Sequence, residues 1–158
     1  MRSPLIANVL TYFAYVAVGQ ILFAGLGACS QKAITPKVTA TKTVNTTVKG
    51  VGSLTTRLEI HQIQNEAVAT GWITWSGEYE ATVTATVNLY TWDATSPKAL
   101  VSKEKDFDLK AGQDGTLNTP TINETRRLCA SANLLIEGYD AEVNTVTKTA
   151  YVSTCERS

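Results

Sequence analysis

Residues 81–92 read ATVTATVNLYTW, and this stretch decides the fold class. Its odd positions are Ala81, Val83, Ala85, Val87 and Leu89; its even positions are Thr82, Thr84, Thr86, Asn88, Tyr90 and Trp92. Apolar and polar residues alternate with a period of two, which is the pattern of a strand with one face on a core and one on solvent. Residues 67–75, AVATGWITW, read as a strand before it, and Ser76-Gly77-Glu78-Tyr79 between them has turn chemistry. A hairpin is expected. If Trp75 lies opposite Ala81, then Ala67, Ala69, Ile73 and Trp75 join the core and Trp72 faces out. Shifted by one, Val68 and Trp72 take their place. The first register is favoured because it buries more apolar side chains.

Working outward, residues 54–63, 99–103 and 107–110 are further strand candidates, rich in β-branched and aromatic residues. Residues 111–115, AGQDG, read as a turn; residues 116–127 read as a long loop or irregular strand broken by Pro120. Residues 128–137 alternate again, with Leu128, Ala130, Ala132, Leu134 and Ile136 on one face. Residues 146–154 do so with Val146, Ala150 and Val152. Setting Cys129 opposite Cys155 brings Ala132 opposite Val152 and Leu134 opposite Ala150. Both apolar sets then share one side, and a one-residue slip would destroy that agreement. A disulfide fits as a clip across the open end of this terminal hairpin, on the face away from the core. Helical periodicity is missing throughout. About seven short strands in residues 53–158 give an all-β fold, a single antiparallel β-sandwich, with a small barrel as the alternative. In architecture it resembles immunoglobulin and fibronectin type III domains. The immunoglobulin signature is absent, since Trp72, Trp75 and Trp92 all precede both cysteines.

The N-terminus carries an address. Arg2 is followed by an almost wholly apolar run from Pro4 to Gly27 with no acid or base, read as a hydrophobic signal or anchor helix. It ends in Leu26-Gly27-Ala28-Cys29, which resembles the lipobox of bacterial lipoproteins. That resemblance implies cleavage before Cys29 and lipid on its thiol. Cleavage after Ser30 and an uncleaved anchor are the competing readings. The organisation expected is a signal peptide over residues 1–28, a lipid-anchored tether over 29–52 and the β-sandwich over 53–158. The tether is rich in Thr and Lys, and its β-branched alternation would also suit a first strand. With Cys29 lipidated or removed, Cys129 and Cys155 remain as an even pair, which in an exported chain reads as one disulfide.

Charge argues against nucleic acid. The chain holds 14 Lys+Arg and 14 Asp+Glu, and removing residues 1–28 takes away only Arg2. A near-neutral balance provides no electrostatic footprint for a polyanion. The basic tether, with Lys32, Lys37, Lys42 and Lys49 and no acid, is the part suited to anionic headgroups.

Catalytic inventory is thin. His61 is the only histidine, and no G-x-S-x-G accompanies it. One histidine with paired cysteines does not furnish a zinc site. Glu104, Asp106 and Asp108 fall on one side of a strand, which suits a charged edge. The competing reading is calcium through Asp106, Asp108 and Asp114, against which no D-x-[DN]-x-[DN]-G loop occurs. No cofactor or metal is expected. The aromatic set Trp72, Tyr90 and Trp92 is the candidate binding face, because outward aromatics stack on sugars or anchor interfaces. The reading is an exported, membrane-anchored envelope lipoprotein, not an enzyme, whose partner is a protein or a glycan. The alternative is a structural or protective surface protein without a dedicated ligand, bacterial or phage-encoded.

Overall fold

The computed structural model describes residues 35–92 and 99–157. The signal segment, Cys29 and the proposed anchor helix lie outside the described residues. Nine strands form two antiparallel sheets in a sandwich-like arrangement, and the described residues contain no helix. The first sheet has β1 (Lys37–Val48), β2 (Gly52–Ile63), β3 (Glu66–Gly77) and β6 (Asp114–Asn118) in that order, with the two-residue β7 (Ile122–Asn123) also on β3. The second runs β5 (Val101–Leu109), β4 (Ala81–Thr91), β8 (Leu128–Tyr139) and β9 (Thr145–Cys155). Leu54, Leu58, Ile60 and Trp75 from the first sheet and Val83, Leu89, Leu128 and Ile136 from the second are fully buried. These are the inward positions of the alternation, so each strand contributes one face to a shared core.

The segment read as a tether is in part a strand. Residues 37–48 pair along β2 from Lys37↔Gln62 to Val48↔Gly52, with an irregularity between Val38 and Ala40. Val48 is buried and Val44 packs against the core. The β-branched alternation therefore outweighs the polarity that made the segment look like a solvated linker.

The expected hairpin of residues 67–75 with 81–92 does not form. β3 pairs with β2 and β6, whereas β4 pairs with β5 and β8 in the other sheet. The connecting turn carries the chain from one sheet to the other. The inward set on β3 is nonetheless Ala67, Ala69, Ile73 and Trp75, all buried, with Trp72 outward. Burial of apolar area decided the face, and it did so whichever strand lay alongside.

Gly71 occupies the middle one of the five inward positions on β3, and a Cβ there would stand 3.0 Å from Val87 Cγ2 of β4. The missing side chain lets the two sheets approach. Gly52 and Gly77 pair across β2 and β3, and a Cβ on either would meet the Trp75 ring at 2.8 Å or less. The indole is wholly buried beneath them, and its Nε1 donates to Tyr79 O at 2.8 Å.

Other boundaries shift. The two candidates at 99–103 and 107–110 are one continuous β5, because the charged residues between them sit on an edge strand with access to water. Asp114 and Gly115, expected in a turn, already pair with β3. Residues 116–127 contain the end of β6 and all of β7.

The terminal hairpin has the expected register. Cys129 lies opposite Cys155, Ala132 opposite Val152 and Leu134 opposite Ala150. The Cys129–Cys155 disulfide is formed, with a Cα separation of 4.0 Å. It lies within one sheet, unlike the inter-sheet bridge of immunoglobulin domains.

Candidate functional site

The outward face of the β5-β4-β8-β9 sheet is the candidate site. Its side chains follow from strand parity and register. One row runs Glu104, Thr86, Asn133, Tyr151; the next runs Asp106, Thr84, Leu135, Thr149. Tyr90 lies opposite Cys129, which lies opposite Cys155. Eight large apolar side chains are exposed among the described residues. Leu135, Tyr139 and Tyr151 point out from this one sheet, and Trp92 stands just past the end of β4. The other sheet contributes only Val38. The two faces therefore differ, and this is the one with apolar area left to cover.

Tyr90 and Tyr151 lean together across β8. Burial, and then the hydroxyl of Tyr151 beside it, hold the Tyr90 phenol above its usual value. Ser131, between them on β8, is buried although it faces outward. Cys129, under Tyr90, is buried too. The disulfide thus occupies the outward side of the sheet, as expected, yet Cys129 is out of contact with water. Beyond it, the Arg127 guanidinium stacks at 4.1 Å on the Trp92 ring, and its Nε donates to Glu156 O. The Glu156 carboxylate accepts from Leu128 N at 2.9 Å, which ties the chain's last strand down at that end.

At the β5 margin three carboxylates stand in line. Thr82 Oγ1 donates to Asp108 Oδ1 at 2.9 Å, Thr84 Oγ1 to Asp106 Oδ1 at 2.7 Å, and Thr86 Oγ1 to Glu104 Oε2 at 2.9 Å. Each hydroxyl fixes one acid rotamer, so the charges are held over the face. Glu137 adds a fourth carboxylate, and no outward position of these four strands is Lys or Arg. Lys103 and Lys105 sit on the opposite side of β5, with Lys105 Nζ 4.7 Å from the Phe107 ring. Asp114 belongs to the other sheet, opposite Thr74, so it is not brought together with Asp106 and Asp108.

Trp72 is separated from Tyr90 and Trp92 by the whole sandwich. It lies on the outward face of the first sheet, opposite Arg57. The Arg57 guanidinium covers its ring at 4.4 Å, and the His61 ring is tilted against it at 5.8 Å. Glu59 stands between Arg57 and His61, 3.4 Å from Arg57 Nε and 3.2 Å from His61 Nε2. These four side chains pack together, the buried His61 Nε2 makes no hydrogen bond, and no serine, threonine or cysteine nucleophile is hydrogen-bonded to His61 among the described residues.

At one end of the sandwich an open cleft of about 670 Å³ is bounded by Gly50, Gly52, Ser53, Ser76, Glu78 and Tyr79, among others. The neighbouring β8–β9 turn is held by Asp140, whose carboxylate accepts from the N–H groups of Glu142 and Asn144 and from the Asn144 amide. Those bonds, that of the Asn144 N–H first, lower its pKa.

Leu135, Tyr139 and Tyr151 were absent from the residues singled out in the sequence. The signal existed: all three occupy the Cys129 side of the alternation in β8 and β9, away from Leu134 and Val152. No family model matches the chain, and neither a curated protein nor a solved structure matches it.

Proposed function

We propose that the chain is an exported envelope lipoprotein, held at a membrane through Cys29, whose sandwich binds another protein or a glycan and catalyses no reaction. The observation that carries the binding role is the concentration of exposed Leu135, Tyr139, Tyr151 and Trp92 along one sheet. Exposed aromatics of this kind act as interface anchors or stack on sugar rings. Export is supported by Leu26-Gly27-Ala28-Cys29 behind an uncharged apolar run, and by the Cys129–Cys155 bridge, which suits an oxidising compartment.

The test uses the full-length chain with Tyr139→Ala and Tyr151→Ala together. Both residues are more than half exposed, so the melting temperature should stay within a few degrees of the parent. Recovery of a partner from envelope extract, or retention on immobilised glycans, should fall at least tenfold, as for loss of central anchors. Full retention of binding would remove this face from the reading.

A further inference from the structure

The proposed binding face has a charge pattern that selects its partner. We infer that the outward face of the β5-β4-β8-β9 sheet docks a protein surface with an apolar centre flanked on one side by lysines or arginines. This rests on the binding role proposed above and adds the chemistry of the occupant. The face is two-part. Leu135, Tyr139 and Tyr151 on β8 and β9 supply the apolar part. Glu104, Asp106 and Asp108 on β5 supply an anionic margin, and Glu137 stands on β8 between Leu135 and Tyr139.

Three features favour a cationic protein over other occupants. The outward positions carry four carboxylates and no base, so anionic glycans, nucleic acid and anionic lipid surfaces are repelled. The carboxylates are already oriented by Thr82, Thr84 and Thr86, so pairing costs little side-chain entropy. The size is also suitable. Four strands about 4.8 Å apart, each about 11 residues at 3.4 Å, make a face of roughly 700 Å². One side of a standard protein–protein interface takes about 800 Å². The same acids disfavour pairing of one β5 edge with that of a second copy, which is how charge discriminates between partners.

The experiment titrates the full-length protein in detergent with a fluorescent, disulfide-cyclised hairpin peptide. One strand presents lysines on a face and the other presents leucine and tryptophan on that same face. A twin peptide carries Glu in place of Lys. The lysine peptide should bind about tenfold or more tightly than its twin, the preference expected from three exposed ion pairs. Raising salt to about 0.5 M should erase most of that preference. The triple change Glu104→Gln, Asp106→Asn and Asp108→Asn keeps an oxygen acceptor for each threonine, so it should fold normally and lose the preference. Tyr139→Ala with Tyr151→Ala should weaken both peptides alike. Equal binding of the two peptides, or a preference that survives the triple change, overturns the inference. So does self-association abolished by the triple change, which would assign the face to a second copy. Binding of a neutral oligosaccharide that the tyrosine pair controls and the triple change leaves intact overturns the cationic partner and leaves the binding role standing. Failure of every probe together with unaltered partner recovery in the tyrosine variant overturns both.

Discussion

The contact between Gly71 of β3 and Val87 of β4 joins the two sheets, and a double-mutant cycle can measure it. Val87 is 1% exposed. Val87→Ala removes two buried methyl groups, worth about 1.6 kcal/mol of transfer, and leaves a void, so the loss should be about 2–3 kcal/mol. Gly71→Ala places a methyl 3.0 Å from Val87 Cγ2. Overpacking of that order costs about 1–3 kcal/mol, offset by about 1 kcal/mol from removing a glycine inside a strand. A net loss of about 1 kcal/mol is expected. In the double variant the new methyl enters the space vacated by Val87. The total should then be about 2 kcal/mol rather than the 3–4 of simple addition, a coupling of 1–2 kcal/mol. Urea unfolding of the disulfide-intact protein, followed by tryptophan fluorescence, gives all four stabilities. Additivity within about 0.5 kcal/mol would show that the two residues do not touch. The stacking of β3 on β4 would then be wrong, and the simple hairpin would return as the better account.

Three further outcomes are expected. The exported protein should show no free thiol at Cys129 or Cys155, and replacing both by Ser should lower stability by about 3–4 kcal/mol while leaving the fold intact, in the chain-entropy account; alkylation of both cysteines in the unreduced protein would refute the bridge. Glu124 should titrate at about 2, against an ordinary 4.5, because the Arg126 side chain and the backbone N–H groups of Arg126 and Thr125 stabilise its charge. A depressed carboxylate keeps its interactions above the unfolded pKa and loses them as pH falls through the folded one. The carboxyl resonance should therefore move near pH 2, and Arg126→Ala should shift its midpoint up; a wild-type midpoint near 4.5 would contradict the pair. Cys29→Ser should abolish incorporation of labelled fatty acid and block signal removal, whereas a soluble mature form beginning at Gln31 would defeat the lipid-anchor reading.

What could be read without a structure was whatever depended on period two. Alternation in residues 81–92 put Val83, Val87 and Leu89 inside and Tyr90 outside, because a strand side chain has only two directions to point. Within the terminal hairpin, two apolar sets and two cysteines had to agree at once, and only one register satisfied both, which is the register observed. Strand neighbours were a different matter. The chain between β3 and β4 looks like a hairpin turn, yet β3 gains β2 and β6 as partners while β4 gains β5 and β8. Both arrangements bury the same inward residues, so local pattern carries no information that separates them. The same holds for β1, whose threonines and lysines look solvated until β2 supplies a ladder and the core receives Val44 and Val48. It holds too for the site. Sequence alternation marked Trp72, Tyr90 and Trp92 as outward, but only the pairing of strands from distant parts of the chain placed Trp72 on one sheet and gathered Tyr90, Leu135, Tyr139 and Tyr151 on the other. Facing is a property of one strand; adjacency is a property of the whole packed chain, set by which pairing buries the most apolar surface at once.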